Sequence, residues 1–328
     1  MHGWIIIDKP LGLGSTQVVS AVKRALRQGG YGKFKVGHGG TLDPLATGVL
    51  PVAVGEATKL AGRMLDSDKV YAFTIRFGEQ TDTLDAEGPV IATSDVRPTL
   101  AQVESVLPRF TGPIAQVPPA YSALKVDGER AYDRARAGEE VVLASRDVTI
   151  HSLKSSPARG GGPLAERVVE GQPSSATLEA IPPEPADAAA AGEELDETTL
   201  IAHVSKGTYI RSLARDIALA LGTVGHVTML RRLKAGPFDL APAISLDKLA
   251  EAGTARTLEH LLLPLRAGLD DIPALPLSPD QAGALRQGRV LTGIAKDDGQ
   301  YFACDGDMPV ALIQVEAEEA RVVRGFNL

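Results

Sequence analysis

The sequence of 328 residues is poor in cysteine and aromatic residues, and it lacks any long apolar run. Cys304 is its only cysteine, which excludes an intrachain disulfide and any metal site built from several cysteines. No stretch reaches the roughly 18 apolar residues that a membrane-spanning helix needs, and the first residues do not have the pattern of a secretory signal peptide. We therefore expect a cytoplasmic protein without a membrane partner.

Familiar signatures of metal and nucleotide chemistry are also missing. The sequence has neither a GxxxxGK[ST] phosphate loop nor an HExxH zinc motif, and its six histidines show no paired ligand spacing. We therefore expect no metal and no cofactor. A Ser-His-Asp arrangement could be assembled from Ser122, His38 and a carboxylate, but the nucleophile elbow that such hydrolases use is absent.

The formal net charge of -7 is concentrated in one segment. Residues 155–200 contain nine acidic and two basic residues, so the rest of the chain is neutral overall. The Pro-, Gly- and Ala-rich part at 155–198 is predicted to be an acidic surface insert away from the chemistry. In contrast, the stretch before Leu42 has no acidic residue after Asp8, and its bases are Lys9, Lys23, Arg24, Arg27, Lys33 and Lys35. Such a tract is typical of a surface that binds a polyanion.

The apolar pattern predicts a mixture of helices and strands. Apolar residues at helical spacing between Val18 and Leu26 predict a helix that begins at Ser15 or Thr16. The period of two between Lys69 and Phe77 predicts a strand whose apolar face includes Tyr71. Further helices are predicted at 56–65, 100–110, 130–137, 210–221 and 246–252, and further strands at 4–7, 49–54, 140–143, 147–153, 200–204, 226–230 and, in short pieces, between 289 and 323.

Residues 37–50 (GHGGTLDPLATGVL) combine four glycines with one carboxylate, Asp43, and lead into an apolar strand. Asp before Pro in a glycine-rich turn is often an ordinary turn residue. However, Asp43 is the first carboxylate after the basic tract, which suggests a polyanion lying across a reactive group. Covalent attack by a carboxylate on a sugar carbon is known chemistry, and Arg211 could hold such a carboxylate by a charge-assisted bond. The residues alone leave both interpretations open.

Residues 37–50 resemble the signature of the TruB family of pseudouridine synthases, which modify uridine 55 in the T loop of tRNA. The resemblance extends over most of residues 3–238, in the order found in the family. The other matching segments are residues 7–10 (IDKP), 66–71 (DSDKVY), 78–83 (GEQTDT), 119–125 (PAYSALK), 205–211 (SKGTYIR) and 230–233 (LRRL).

The resemblance implies that Asp43 is the nucleophile, so that the base of the target uridine detaches from its sugar, rotates and rejoins through carbon. No metal or cofactor takes part. It also implies that Tyr71 stacks on the flipped base and that Arg211 pairs with Asp43. Flipping costs a few kcal/mol, and stacking on an aromatic ring returns about 1–3 kcal/mol per base.

The remaining implied roles concern contact with the RNA. Tyr209 and Leu230 would line the pocket, and His38 would fill the space that the flipped nucleotide leaves in the T loop. Lys9 and Lys125 are weaker candidates for RNA contact or for support of the site. The expected partner is the T arm of tRNA, and we expect a monomer.

The resemblance also implies the architecture. It predicts an α+β (mixed α/β) fold with an antiparallel-rich central sheet flanked by helices. The expected domains are a catalytic domain at 1–245, which contains the acidic insert, and a small PUA-like β-barrel at 272–328 that binds RNA.

Three alternatives to a stand-alone tRNA enzyme remain. A guide-RNA-dependent pseudouridine synthase, as in the dyskerin group, would share these motifs. A non-catalytic tRNA-binding or tRNA-folding protein would use Asp43 only to shape a loop. A glycoside hydrolase would need a second carboxylate beside the scissile bond, and the basic tract before Asp43 offers none nearby.

Overall fold

The computed structural model describes residues 1–122, 124–126, 128–139, 141, 143–156 and 192–328. The predicted strand at 140–143 lies partly outside these residues, and so does most of the predicted insert at 155–198. In the part of the chain that is described, no helix is both long and apolar enough to cross a membrane.

The described chain is a mixture of helices and mainly antiparallel sheets, as the sequence predicted. In chain order, the strands are β1 (Gly3–Lys9), β2 (Val36–His38), β3 (Ala46–Val54), β4 (Lys69–Phe77), β5 (Glu79–Thr81), β6 (Val90–Thr93), β7 (Gly112–Gln116), β8 (Lys125–Val126), β9 (Glu129–Arg130), β10 (Arg146–Ser155), β11 (Glu197–Val204), β12 (Gly225–Ala235), β13 (Leu263–Pro264), β14 (Ala274–Pro276), β15 (Leu291–Thr292), β16 (Gly299–Asp305), β17 (Met308–Glu316) and β18 (Glu319–Gly325). The α-helices are α1 (Ser15–Gln28), α2 (Ala61–Asp66), α3 (Leu100–Val106), α4 (Ala131–Arg136), α5 (Ile210–Ala220), α6 (Leu246–Ala255) and α7 (Pro279–Arg286).

The contacts divide the chain into two units. The first unit consists of residues 1–44, 48–65 and 235–328, and the second consists of residues 45–47 and 66–234. The chain therefore passes from the first unit to the second directly after Asp43 and Pro44, and returns at Gly48.

In the first unit, the buried strand β1 is the centre of the N-terminal sheet. It pairs antiparallel with β13 on one side and with β3 on the other, and β2 pairs with β3. Trp4 on β1 is fully buried, and its ring nitrogen donates a hydrogen bond to the Leu265 carbonyl at 3.2 Å. Phe302, Leu312 and Phe326 join the same apolar core. Burial of these large side chains stabilises the unit, because each contributes about 1.5–3 kcal/mol.

The last residues of the first unit form a separate five-stranded sheet. Its order is β14-β16-β17-β18-β15, and its pairs are antiparallel except for the parallel pair β14–β16. Ala282 and Leu285 on α7 pack into its core together with Ile313 and Val315 on β17. The sheet falls in the region where the sequence predicts the PUA-like barrel, and that assignment stays a prediction.

The second unit is built on an antiparallel sheet in which β4 pairs with β11, β11 with β10, and β10 with β7. Strand β12 lies on the other side of β4. The period of two in β4 is confirmed, because Phe73, Ile75 and Phe77 all point into one core, where they meet Leu213 and Ile217 of α5.

Three helical segments differ from the sequence prediction. The region 56–65 begins as a 3₁₀ helix (Gly55–Leu60) before α2, and the region 100–110 ends as one (Leu107–Phe110) after α3. Pro108 lies at the start of the latter helix, and it lacks the N–H group that would continue α3. Helix α7 was not predicted, although Ser278 and Gln281 form a capping box at its N-terminus.

The glycines of the loop at 37–50 serve the packing and backbone of the first unit. A Cβ atom on Gly39 would lie 2.5 Å from the Met64 Cβ, a distance that real side chains do not adopt. Gly40 and Gly48 have φ angles of 128° and 98°, which favour glycine. On Gly37, in contrast, an added Cβ would have no atom within 4 Å.

We predict that Gly39→Ala destabilises the protein by about 1–3 kcal/mol, because the added methyl group overpacks the contact with Met64. Gly37→Ala is the matched control, since it adds the same group in the same loop in open space. Thermal unfolding followed by circular dichroism measures both variants. An equal fall in the unfolding midpoint for the two would contradict this explanation of Gly39.

Candidate active site

Asp43 lies exposed on a loop of the first unit whose backbone is held on both sides. The Ser15 hydroxyl accepts a hydrogen bond from the Leu42 amide at 2.8 Å and donates one to the Leu42 carbonyl at 3.1 Å. The Pro44 carbonyl accepts a hydrogen bond from the Gly12 amide at 2.9 Å. Because its two chain neighbours are fixed, the Asp43 carboxylate is presented from a defined backbone position.

Lys9 also holds the loop that carries Asp43. Its side chain is fully buried at the end of β1, and its ammonium group donates to the carbonyls of Pro10 at 3.0 Å, Leu13 at 2.5 Å and Pro44 at 3.3 Å. A buried ammonium requires such acceptors. The geometry suits support of the loop, and a direct contact between Lys9 and RNA stays a prediction.

His38 and the basic tract also belong to the first unit. His38 is half-buried at the end of β2, where it pairs with Val52 of β3. The basic residues of α1 lie on its exposed face, while Val18, Val22 and Leu26 are buried on the opposite face, as predicted. The exposed bases are Lys23, Arg24 and Arg27 on α1 and Lys33 and Lys35 after it.

Arg211 is the best-anchored predicted residue of the second unit. It lies in the first turn of α5, and its side chain is only 10% exposed. One guanidinium nitrogen donates to the Asp85 carboxylate at 3.0 Å and to the Thr83 carbonyl at 2.9 Å, and the other donates to the Tyr121 carbonyl at 3.0 Å. These bonds fix both the position and the orientation of the guanidinium plane.

Asp85 is a site residue that the sequence did not reveal. One of its oxygens accepts from Arg211, and the other accepts from the Thr83 hydroxyl at 2.6 Å and the Glu87 amide at 3.1 Å. The preceding residue, Leu84, has a φ angle of 62°, a strained conformation that persists only where the surroundings impose it. The available signal was a turn-rich segment at 81–88, but the matching segment 78–83 ends two residues before Asp85.

Tyr121 continues this arrangement, because its hydroxyl donates to the Asp82 carboxylate at 3.0 Å. That hydrogen bond, assisted by burial, raises the pKa of Tyr121. The turn at 81–88 and the segment around Tyr121 are thus joined both through Arg211 and through this second bond.

Tyr71 and Leu230 border the same apolar core of the second unit. Both are half-buried and pack against the cluster that contains Phe73 and Leu213. The Leu230 carbonyl accepts a hydrogen bond at 3.5 Å from the hydroxyl of Thr47. Thr47 follows Asp43 by four residues in the chain. Side chains at the border of a core have one face available to a ligand.

Tyr209 is the residue that directly precedes α5. Its amide donates to the Gln116 side chain at 2.8 Å, and its ring lies 5.8 Å from the guanidinium carbon of Arg146. Because Tyr209 and Arg211 flank the start of one helix, the fold places both at the same end of α5. Lys125 lies in the short strand β8, opposite Arg130 of β9.

Buried cations surround the strand that carries Tyr71. Lys69, Arg231 and Arg232 are all nearly buried. Burial, with the charge of Arg232 as a second cause, lowers the pKa of Lys69 to about 8, and its ammonium donates to the Ser67 carbonyl. The charges of Asp68 and Asp66 act on Lys69 in the opposite direction, so cations and carboxylates lie close to one another in this part of the second unit.

The structure brings the predicted residues together in two groups. The first unit contains Lys9, His38 and Asp43, and the second contains Tyr71, Lys125, Tyr209, Arg211 and Leu230. The predicted pairing of Arg211 with Asp43 stays a prediction, whereas the pairing of Arg211 with Asp85 is an addition from the structure.

Comparisons with known proteins agree over the whole chain. A model of the TruB family pseudouridylate synthase N-terminal domain matches residues 23–160, and one of the tRNA pseudouridylate synthase B C-terminal domain matches residues 211–270. The chain is 63% identical to a tRNA pseudouridine synthase B of Novosphingobium aromaticivorans, over all of the chain and 98% of the relative. It is 58% identical to a protein of the same name from Zymomonas mobilis, over all of the chain and 96% of that relative.

Solved structures show a similar fold at lower identity. A chain of an H/ACA RNP bound to a substrate RNA containing 2'-deoxyuridine is 21% identical, with a TM-score of 0.67 over 99% of this chain and 85% of the other. A chain of a Cbf5-Nop10-Gar1 complex is 23% identical, with a TM-score of 0.66 over 99% of this chain and 84% of the other. At such identity the likeness concerns the fold. The family models and the relatives that match over nearly their full length show that the chain belongs to the TruB family of pseudouridine synthases.

Proposed function

We propose that this protein converts uridine 55 in the T loop of tRNA to pseudouridine, with Asp43 as the nucleophile. The observation that carries the proposal is an exposed carboxylate on a loop whose neighbouring carbonyls are fixed by Ser15 and Lys9. A nucleophile must be accessible and yet held in one position. The full-length relatives named tRNA pseudouridine synthase B support tRNA as the substrate.

The reaction needs no external reactant. The bond between N1 of the base and C1' of the ribose breaks, and a bond between C5 and C1' forms. C5 loses a proton and N1 gains one, so the composition of the nucleotide is unchanged. Asp43 supplies the covalent step that lets the detached base rotate before it rejoins. We propose that the chain requires neither a metal nor a cofactor for this chemistry.

The residues of the second unit would bind the flipped base and orient the nucleophile. Tyr71 stacks on the base with the part of its ring that the core does not cover. Tyr209 and Leu230 line the pocket. Arg211 pairs with the Asp43 carboxylate, as the resemblance to the family implies. Stacking offsets part of the cost of flipping.

The RNA backbone would be bound by the exposed bases of the N-terminal tract. Five of its six basic residues are exposed, and the sixth, Lys9, supports the loop instead. His38 fills the space left in the T loop, and Lys125 contacts RNA. The five-stranded sheet at 274–325 is the proposed PUA-like RNA-binding part, and the protein acts as a monomer.

A guide-RNA-dependent enzyme is the second candidate. The fold likeness to a chain of an H/ACA RNP favours it, but that likeness is at 21% identity, whereas the relatives at 58–63% carry the name of the tRNA enzyme. A non-catalytic tRNA-binding protein is separated from both by the first experiment below.

We predict that Asp43→Asn lowers the formation of pseudouridine in a T-arm minihelix by at least about 10³-fold, the order of loss seen when a covalent nucleophile is removed. The amide has the shape of the carboxylate but does not attack carbon, so the affinity for the minihelix should change little. Single-turnover release of tritium from 5-tritiated uridine measures the reaction, and filter binding measures the affinity. Asp270→Asn, at an exposed position, is the control. Retained turnover in Asp43→Asn would refute the assignment of the nucleophile.

We also predict that the purified protein modifies one uridine, position 55, in an unmodified tRNA transcript without guide RNA or accessory proteins. The full-length relation to tRNA enzymes is the reason for this expectation. Chemical mapping of pseudouridine along the transcript identifies the position. A requirement for added RNA would support the guide-dependent alternative, and binding without any product would support the non-catalytic one.

We predict that Asp85→Asn destabilises the protein by about 3–5 kcal/mol, because it removes the charge of a carboxylate that is buried beside the Arg211 guanidinium. Asp196→Asn is the matched control, since it breaks an ion pair of the same length with Arg97, but at a side chain that is 84% exposed. Removal of that partner should cost about 0–1 kcal/mol. If thermal unfolding shows the same loss of stability for both variants, the buried Asp85–Arg211 pair contributes no more to stability than an exposed ion pair.

A further inference from the structure

Three side chains with metal-binding groups converge in the second unit, and none of them is among the residues assigned above. Asp68 directly precedes β4, His151 lies on β10 and His203 lies on β11. Strand pairing is responsible, because His203 is opposite Val70 of β4 and also opposite Ser152 of β10. The register of β10 shifts between Ile150 and Ser152, so His151 occupies the irregular position next to His203.

The donor atoms lie at distances that suit one shared ion. The Asp68 Oδ2 atom is 3.1 Å from the His151 Nε2 atom and 3.7 Å from the His203 Nε2 atom. One ligand atom from each residue lies within 4.8 Å of the other two. In a tetrahedral zinc site with metal–ligand bonds of about 2.0–2.2 Å, neighbouring donor atoms are about 3.4 Å apart. Small rotations of these side chains would therefore complete the coordination.

An ordinary surface ion pair does not account for the second histidine. One imidazole is enough to pair with one carboxylate, but here both Nε2 atoms are directed at the same oxygen, Oδ2 of Asp68. The two rings are tilted by 45° with their centroids 4.7 Å apart. Two imidazolium rings at this distance would repel each other, whereas two neutral rings and a carboxylate share a divalent cation favourably.

The surrounding charges lower the expected metal affinity of this site, but they do not prevent binding. The nearby carboxylate of Asp66 is paired with Lys206 at 3.0 Å, and the charge of Lys234 acts on His203. The three side chains are between 37% and 47% exposed, which leaves room for water as a fourth ligand. We therefore expect binding in the micromolar range, weaker than at a closed structural zinc site.

We propose that Asp68, His151 and His203 bind a divalent transition-metal ion of the zinc class, which ties the turn before β4 to strands β10 and β11. Two imidazoles and one carboxylate with an open fourth position are a common ligand set for zinc. The ion would take no part in the isomerisation, and it would stabilise the folded state by binding it in preference to the unfolded chain.

The test uses tag-free, full-length protein that has been treated with a chelator and dialysed. Titration with Zn²⁺ in a calorimeter should show one saturable site per chain, and Co²⁺ should give the visible absorption of a tetrahedral complex. Zn²⁺ should also raise the midpoint of thermal unfolding. In His203→Gln and in Asp68→Asn, which keep side chains of similar size, the affinity should fall at least tenfold and the thermal shift should disappear.

Two control variants exclude other ligands. His260→Ala removes an exposed histidine of the first unit, and Cys304→Ser removes the only thiol. Both should bind Zn²⁺ like the unmodified protein. The proposal is overturned if no saturable binding occurs, if His203→Gln and Asp68→Asn bind as tightly as the unmodified protein, or if Cys304→Ser abolishes binding. Circular dichroism of each variant verifies the fold, and a variant that fails to fold is replaced by His151→Gln, for which the same loss is expected.

Discussion

The buried guanidinium of Arg211 is the constraint on which the arrangement of the second unit depends. A permanent charge that is nine-tenths buried must find acceptors, and this one takes them from Asp85, from the Thr83 carbonyl and from the Tyr121 carbonyl. Two segments that are distant in sequence from α5, residues 83–85 and the segment around Tyr121, are thereby held at its first turn. The strained backbone of Leu84 is tolerated because these bonds compensate for it.

Lys9 has a role in the first unit like that of Arg211 in the second, because it too is a buried cation that holds loop backbone. Its ammonium is fully buried and satisfied by backbone carbonyls, one of which belongs to Pro44, next to Asp43. In each unit a buried cation therefore donates to backbone carbonyls of loops, Lys9 to Pro10, Leu13 and Pro44, and Arg211 to Thr83 and Tyr121. This use of charge explains why Lys9 and Arg211 are inaccessible, while the bases of α1 remain exposed.

The sequence predicted those parts of the fold in which local pattern and tertiary environment agree. In strand β4, large apolar residues recur at a period of two, and α1 has its apolar residues on one face, so the bounds of β4 and the start of α1 were predicted closely. The ends of α3 and the start of α2 were missed because 3₁₀ turns share the helical spacing. Asp85 was missed because a turn imposed by tertiary contacts has no periodicity. The cluster at His203 was missed for a related reason: its residues meet only through strand pairing, which local spacing does not encode.

The family resemblance identified which carboxylate to examine, and the structure adds a physical reason to favour it. Most carboxylates with defined partners in the described residues serve as acceptors, as Asp85 does on both of its oxygens. The backbone around Asp43 is held through Ser15, Gly12 and Lys9, and its side chain is exposed. A substrate can therefore reach a carboxylate whose backbone position is already defined. The cost of ordering is met before the substrate arrives, which is the condition for efficient attack.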